Sequence, residues 1–364
     1  MKIKKVSQWK KSTRKNAGTY FMVIAAYVVL QILATGGALS SSLKGQLVPI
    51  CAYIVMAVSL NLTVGISGEL SLGHAGFMSV GAFTGVIAAA CLESAVPNGV
   101  LRLVLAMVAG GALAGVTGFL IGIPVLRLRG DYLAIVTLAF GEIIRNIINC
   151  LYVGLDSRGL HFSMSDEASL HLREGGRTLI NGPIGATGIT KLSTFAVGFG
   201  LVLFTLFVVL NLINSKEGRA IKASRDNRIA AESIGLNVTA VKMKAFVISA
   251  ALAGMAGTLF AMNYSTIVAK KFDFNTSINV LVFVVLGGMG NIRGSVISAA
   301  LLYILPEMLR GEFSDLRMLI YAVILILVTL FTWAPALKNF RDSMAVKLRL
   351  GKKNAKAKKE ADRV

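Results

Sequence analysis

Residues 101–124 read LRLVLAMVAGGALAGVTGFLIGIP and contain one charged residue, Arg102. About 20 residues of this hydrophobicity suffice for an α-helix to cross the hydrocarbon core of a bilayer. Small residues recur at every fourth position of the stretch, a spacing that lets two helix backbones approach closely. These small residues are Gly110, Ala114, Gly118 and Gly122. The stretch therefore predicts a transmembrane helix that packs closely against a neighbour.

The composition of the whole chain extends this interpretation. Of the 364 residues, 55% are hydrophobic and only 15% are charged, and the mean hydropathy is +0.71. Soluble domains carry about 25% charged residues. A chain this apolar would expose a large hydrophobic surface to water, so lipid is its solvent. Because backbone polar groups need partners in lipid, we expect an all-α, polytopic transmembrane bundle.

Ten apolar stretches are candidate spans. They lie at about 19–35, 47–64, 73–91, 101–124, 132–153, 195–213, 243–263, 278–291, 294–309 and 317–335. The eighth and ninth are short and are separated by the glycine-rich stretch GGMGNIRG at 287–294. The three cysteines, Cys51, Cys91 and Cys150, lie in or beside these stretches. No cysteine spacing indicates a metal site.

Charge placement predicts the orientation. The net charge of +20 is concentrated in residues 1–16, 214–244 and 337–364, each of which flanks an apolar stretch. Such basic flanks are typical of cytoplasmic segments of membrane proteins and argue against nucleic-acid binding. With six spans before the basic segment 214–244 and four after it, all three basic segments lie on the cytoplasmic side. We therefore predict ten spans with both termini cytoplasmic.

Two loops stand out in this arrangement. The external loop at 155–193 is long and ends in the turn-forming string NGPIGATG, and loops of this length are usually functional or disordered. The cytoplasmic loop at 214–242 contains small residues at spacings of three and four, which predict a helix with one small face, stopped by Gly235. Either that face docks in a groove of another protein, or the loop is a solvated connector.

The cytoplasmic loop also carries a resemblance. Its sequence GRAIKASRDNRIAAESIG, at 218–235, resembles the ATPase-coupling loop of branched-chain amino-acid ABC transporter permeases. Similar blocks occur in order at 61–65, 68–77, 244–257 and 285–294, and LRGDYLAIVTL at 128–138 resembles the M-type (LivM-like) subunit of that family. The coupling residues that the resemblance implies are Gly218, Arg219, Ala220, Ala223, Arg225, Asn227, Ala230, Ala231 and Gly235.

The resemblance implies a multi-pass permease subunit in a prokaryotic cell membrane, with its permease domain at 19–336 between a basic segment 1–18 and a basic tail 337–364. The implied partners are a second, H-type permease subunit, cytosolic ATP-binding subunits and an external solute-binding protein. The chain has no phosphate-binding loop of the G-x-x-x-x-G-K-[ST] type, so we expect ATP to be bound by a partner subunit and no cofactor or metal in this chain.

The implied activity is import of leucine, isoleucine and valine by alternating access. A permease for urea or short amides is an alternative within the class. An autonomous secondary transporter or channel is an alternative outside it, but such a protein has no need of an ATPase-docking helix. An enzyme is disfavoured because the sequence shows no nucleophile, histidine and acid set.

Candidate residues of the translocation pathway fall in two glycine-rich breaks and in one charged pair. Backbone breaks at membrane depth are tolerated where protein or water covers them, although these two could equally be cytoplasmic turns at span ends. Glu142 and Arg145 lie three residues apart, where they can pair on one helix face. The candidates are Asn61, Gly65, Ser71, Gly73, His74, Gly76, Glu142, Arg145, Gly287, Gly288, Gly290 and Asn291.

Overall fold

The computed structural model describes residues 2–36, 40–128, 130–173 and 175–308, together with residues 322, 323 and 326. The chain divides into two units, 1–304 and 305–364, and the following account concerns the first. Apart from those last three positions, the span predicted at 317–335 and the tail at 337–364 lie outside the described residues.

The first unit is built mainly from helices. These are α1 (Lys2–Thr35), α2 (Ser41–Asn61), α3 (His74–Cys91), α4 (Gly99–Val125), α5 (Asp131–Asn149), α6 (Phe195–Asn214), α7 (Lys216–Asp226), α8 (Arg228–Ser233), α9 (Val238–Ala261), α10 (Phe274–Gly287) and α11 (Ile292–Met308), whose last residues pass into the second unit. A π-helical turn, Leu62–Ser67, extends α2.

Six of the described helices are long and apolar enough to cross a membrane: those at 17–35, 42–67, 74–91, 99–125, 195–214 and 238–261. Two more, at 274–287 and 292–306, are apolar but shorter. The chain is therefore a polytopic helical membrane protein. The six correspond to six of the ten predicted spans.

Helices α3, α4 and α9 form the centre of the bundle through contacts between small residues. A Cβ atom added at Gly81 of α3 would lie 2.3 Å from the Cα atom of Gly254 in α9. One added at Gly118 of α4 would lie 2.5 Å from the Cβ atom of Ala250. Side chains larger than hydrogen would force the helices apart at these positions, so the predicted close packing through small residues is confirmed.

Contacts between connections divide the bundle into two ends. At one end, the π-helical turn contacts α7 through Arg225, and Arg293 at the start of α11 donates from Nε to Thr19 Oγ1 of α1 over 2.6 Å. At the other end, Glu93 after α3 pairs with Arg177, and Ala186 forms a β-bridge with Ile267.

The segment after α5 forms a small antiparallel sheet. Its strands are β1 (Tyr152–Asp156), β2 (Gly159–Ser163), β3 (Arg177–Asn181) and β4 (Gly185–Ala186), in the order β2-β1-β3-β4. This corrects the all-α expectation for the predicted external loop at 155–193. The strands are only two to five residues long, too short for a clear alternating pattern, yet Val153 and Ile180 are fully buried.

Asp156 at the end of β1 stabilises the connection between β2 and β3. Its Oδ1 accepts a hydrogen bond from Ser157 Oγ at 2.7 Å and its Oδ2 accepts one from the backbone N–H of Arg173 at 3.0 Å. These hydrogen bonds, with Ser157 the largest contributor, lower the pKa of Asp156 to about 2. The carboxylate therefore stays ionised and able to accept these bonds at neutral pH.

The packing in α4 predicts unequal effects of two Gly→Ala substitutions on the same helix. A Cβ at Gly110 would lie 2.7 Å from the carbonyl oxygen of Gly81, whereas a Cβ at Gly115 would have its nearest neighbour at 3.4 Å. We expect Gly110→Ala to lower the free energy of unfolding by about 1–3 kcal/mol, the usual cost of overpacking. Gly115→Ala is the matched control, and thermal unfolding in detergent is the measurement. Equal midpoints for both variants would contradict the packing.

Candidate functional site: a polar junction between α7 and two glycine turns

Asn61 joins the two glycine-rich breaks predicted from the sequence. It is fully buried at the end of α2, where its Oδ1 accepts a hydrogen bond from the backbone N–H of Gly290 at 2.7 Å. Its Nδ2 donates to Ser295 Oγ in α11, also at 2.7 Å. We call residues 65–73 the first glycine turn and residues 287–291 the second. The side chain of Asn61 holds the two together.

The two glycine turns touch through their backbones. A Cβ added at Gly65 would lie 2.3 Å from the backbone nitrogen of Gly290 and 1.7 Å from Asn61 Oδ1, so only glycine fits. Gly290 and Gly288 have φ angles of 82° and 91°, in the region that favours glycine. Gly287 packs against Gly294 at the other side of the second turn, where an added Cβ would lie 2.5 Å from the Gly294 carbonyl carbon.

Arg225 connects α7 to this contact. Its guanidinium group donates a hydrogen bond to the carbonyl oxygen of Gly65, inside the π-helical turn. The aliphatic part of the same side chain packs over Gly68, where an added Cβ would lie 2.9 Å from Arg225 Cγ. Its Nη1 also lies 3.8 Å from the position of a Cβ on Gly290. One arginine of the cytoplasmic loop thus reaches both glycine turns.

A second link ties the first glycine turn to α9. Glu69 pairs with Lys242, and the two side chains are only 13% and 12% exposed. Removing one partner of so buried an ion pair leaves an uncompensated charge, which is strongly destabilising. The first turn is therefore held from both α7 and α9. We call the contacts among Asn61, Gly65, Gly290 and Arg225, with the Glu69–Lys242 pair, the polar junction.

The loop between α6 and α9 forms two short helices rather than the single helix that was expected. Asn227 separates them because its backbone is extended, with φ −154°, and its Oδ1 accepts from the N–H of Ala230 at 3.0 Å as the N-cap of α8. The predicted stop at Gly235 is confirmed, since its φ angle is 83°.

The break at Asn227 also divides the predicted small face. Gly218 and Ala231 are buried, Ala220 and Ala223 are partly exposed, and Ala230 is exposed, as are Arg219 and Asn227. Two large apolar side chains are instead exposed, one on α8 and one directly after its end. Ile229 and Ile234 are 77% and 75% exposed. Sequence reasoning missed Ile229 because its isolated position among polar residues carries no periodic signal.

The remaining candidates near the first turn are packed inside the chain. His74 is 2% exposed and its Nε2 lies 2.8 Å from Ser59 Oγ of α2, while Ser71 is 1% exposed. A Cβ at Gly73 would lie 2.0 Å from the carbonyl oxygen of Thr137, and one at Gly76 would lie 2.9 Å from Gly141 Cα. These contacts fix α3 against α2 and α5. A role in the pathway stays a prediction for these residues.

Glu142 and Arg145 form the ion pair that their spacing predicts. The carboxylate Oε2 lies 2.6 Å from Arg145 Nη2, and the side chains are 32% and 26% exposed. The structure places this pair on α5, apart from the polar junction. Asn291 is exposed in the second glycine turn, and Gly287 and Gly288 are partly exposed there.

Some residues of the junction carried no signal of their own in the sequence. Ser295 is an ordinary serine in an apolar helix, and Lys242 is one of several lysines in the basic segment 214–244. Only the fold brings Ser295 to Asn61 and Lys242 to Glu69. Within the described part of the chain, no group of three or more His, Cys, Asp or Glu side chains could hold a metal ion.

Comparison with known proteins bears on the family. The sequence profile of the family described as "Branched-chain amino acid transport system / permease component" matches residues 42–329. The proteins named high-affinity branched-chain amino acid transport system permease protein LivM from Salmonella typhimurium and Escherichia coli are 38% and 37% identical over 306 residues, which is 78% of this chain. The chain covers 66% of the length of each of these two relatives, slightly under two thirds.

A second type of permease is also similar. The permease protein LivH of E. coli is 23% identical over 292 residues, covering 76% of this chain and 89% of LivH. No solved structure matches the chain significantly. With a family profile that spans most of its length and two relatives above one-third identity, the chain belongs to the family of branched-chain amino-acid transport system permease components.

Proposed function

We propose that this chain is a transmembrane permease subunit of an ATP-binding-cassette importer for leucine, isoleucine and valine. Family membership supports the class, and the names of the relatives support the cargo. The chain acts as a transport subunit without an ATPase site of its own, so ATP is bound by cytosolic partner subunits. Its other partners are a second permease subunit of the H type and an external solute-binding protein.

The polar junction is the observation that carries the mechanism. In this proposal, α7 and α8 dock on the ATPase, with Ile229 and Ile234 as the exposed apolar contacts. Closure of the ATPase moves α7, and Arg225 transmits the displacement to Gly65 because its guanidinium is bonded to that carbonyl. Asn61 and Gly290 pass it to the second turn. The two glycine turns then act as joints between helices during alternating access.

The proposed topology has ten spans with both termini in the cytoplasm. The shared end of the bundle supports it, since α7 and the Thr19 region of α1 lie at the same end. The basic charge of residues 1–16 and 214–244 supports assigning that end to the cytoplasm. The sheet formed by β1 to β4 then lies outside the cell, where a solute-binding protein docks.

Two alternatives differ from this proposal in cargo or in class. A permease for urea or short amides would share the fold and the junction, so only transport measurements separate it from the proposal. A secondary transporter would work without an ATPase. The contact of Arg225 with a glycine turn favours a helix that receives force from a partner over a passive connector.

The coupling role predicts the effect of Arg225→Met, which removes the donor to Gly65 and keeps a long side chain. Hydrogen bonds from charged groups are worth about 1.5–3 kcal/mol, so uptake by the reconstituted complex should fall about tenfold or more. The ATPase subunits should still copurify, and ATP hydrolysis should continue without import.

Lys216→Met is the matched control, because this exposed lysine in the first turn of α7 loses the same charge without contacting either glycine turn. Near-normal uptake is expected for it. Leucine uptake and ATP hydrolysis measured on the same proteoliposomes distinguish the variants. Wild-type uptake in Arg225→Met would exclude the junction as the transmission route.

The topology is tested by cysteine labelling of intact cells after Cys51, Cys91 and Cys150 are replaced by alanine. Met164 in the sheet segment is 67% exposed, and Met164→Cys should react with an impermeant reagent from outside. Lys5→Cys, Lys222→Cys and Lys356→Cys should react only after permeabilisation. External labelling at position 356 would show that the number of spans after α9 is even instead of the predicted three.

The cargo is tested by competition. Proteoliposomes containing the complete complex and its binding protein should import labelled leucine, and excess isoleucine or valine should suppress that import. Urea and acetamide should leave it unchanged, because neither carries the ammonium and carboxylate groups of an amino acid. Absence of leucine import, or suppression by urea or acetamide alone, would replace the branched-chain cargo with an amide.

A further inference from the structure

The exposed surface of α5 differs from that of its neighbour α4. Every exposed residue of α4 between positions 104 and 124 is apolar, as lipid contact requires. On α5, the outward face carries Asn146, and the half-buried pair Glu142 and Arg145 lies beside it. Since α5 is a helix within a membrane protein, polar and charged groups on it are costly in lipid and normally face protein or a water-filled cavity.

The position of the pair along α5 adds to this difference between α5 and α4. Glu142 lies eleven residues after the start of α5 and seven before its end, which corresponds to about 16 Å and about 10 Å along the axis. The pair therefore lies within α5 and not at either end of the helix. Lipid is a poor solvent for a pair placed there, so water or another polar surface covers this face of α5.

We propose that Glu142 and Arg145 form a binding site for the two charged groups of a free amino acid as it crosses the membrane. The α-ammonium group pairs with Glu142 and the α-carboxylate with Arg145. This inference rests on the proposed function, because it takes an amino acid as the cargo.

The charges make such an exchange favourable. Without substrate, the two side chains neutralise each other at 2.6 Å. With a zwitterion between them, each keeps an opposite charge, so no uncompensated charge is left at membrane depth. The Arg145 guanidinium has further hydrogen-bond donors available. Its Nη2 faces Glu142, and its Nε is buried without a hydrogen-bond partner in the described chain. A neutral amide offers no such exchange of ion pairs.

The surroundings suit an aliphatic side chain. Ile143 and Ile147 lie one helical turn apart on the exposed face of α5, and each is 49% exposed. On the other side, Glu142 borders a narrow crevice lined also by Phe272, by the N-cap residue Asp273 and by Phe274 at the start of α10. A branched hydrocarbon group held by its charged end at Glu142 and Arg145 would find apolar contacts on either side.

The neighbours of the pair on α5 contact the first glycine turn. Gly141 precedes Glu142, and a Cβ added at Gly141 would lie 3.1 Å from the Cα atom of Gly73 in the first glycine turn. The hydroxyl of Thr137, one helical turn earlier, accepts from the backbone N–H of Leu72 at 3.0 Å. A displacement of the first turn therefore reaches α5 beside the pair, which provides a route for releasing bound substrate.

The test measures substrate protection of a cysteine beside the pair. The complete complex, with native cysteines of this chain replaced by alanine, carries Ile147→Cys and is placed in nanodiscs without ATP or binding protein. A positively charged thiol reagent should modify this cysteine, and leucine should slow modification several-fold. Leucinamide and 4-methylpentanoate, which each lack one charged group, should protect far less. Val116→Cys on the apolar face of α4 is the control and should stay unreactive.

The neutral double variant Glu142→Gln/Arg145→Gln should abolish protection while the thermal unfolding midpoint remains near that of the parent. The matched control is Arg228→Gln/Glu232→Gln, which neutralises another helical ion pair, on α8, and should retain protection. If the first double variant is not recovered, Glu142→Asp keeps the charge but withdraws the carboxylate, and it should weaken protection. These variants separate a substrate contact from a purely structural pair.

Several results would overturn the site. They are an unreactive Ile147→Cys, protection that leucine does not provide, equal protection by leucinamide or 4-methylpentanoate, and protection that survives in Glu142→Gln/Arg145→Gln or is undiminished in Glu142→Asp. Failure of the proposed cargo is seen separately, because it would appear as an absence of leucine import by the wild-type complex with its binding protein.

Discussion

Close approach of helix backbones is the constraint on which this structure depends. Hydrophobic burial does not drive helices together in lipid, so association relies on van der Waals packing and interhelical hydrogen bonds. Glycine makes both available by exposing the backbone. At Gly81 and Gly254 it brings α3 against α9, and at Gly65 and Gly290 it brings two turns into direct contact. Both contacts leave no room for a side chain.

The same constraint serves two different purposes in the chain. In the centre, glycine contacts are extended along α3, α4 and α9, and they fix those helices as one packed unit. At the α7 end, glycine contacts occur in turns, where one hydrogen bond accepted by Asn61 and one donated by Arg225 hold them. A contact held by two side chains can be released by moving one of them.

Much of this architecture could be predicted from the sequence. The long apolar stretches fix the six membrane helices, and the four-residue spacing of small residues fixes the α4 contact, because each signal depends only on neighbours along the chain. The sheet between α5 and α6 was missed, since strands of two to five residues leave too little pattern. The division of α7 from α8 at Asn227 was missed for a similar reason, as one capping side chain decides it.

The long-range contacts within the candidate site could not be predicted from the sequence. Arg225 was recognised through its resemblance to a family motif, but nothing in the sequence predicted its contact with Gly65. Its contact with Gly65 joins residues 160 positions apart, and the Asn61 contact with Gly290 joins residues 229 apart. Such contacts have no periodicity that a single sequence could reveal.

A continuous series of contacts links α7, through the first glycine turn, to α5. Arg225 bonds to Gly65, and the first glycine turn continues to Leu72 and Gly73, which contact Thr137 and Gly141 of α5. The contacts of Gly73 with Thr137 and Gly141 are between backbone atoms, and close-packed atoms of this kind resist compression. In the proposed mechanism, a displacement of α7 therefore reaches α5. Glycine therefore serves the two purposes at different positions: Gly81 and Gly254 pack the centre, whereas Gly65, Gly73 and Gly290 form the contacts that the proposed mechanism moves.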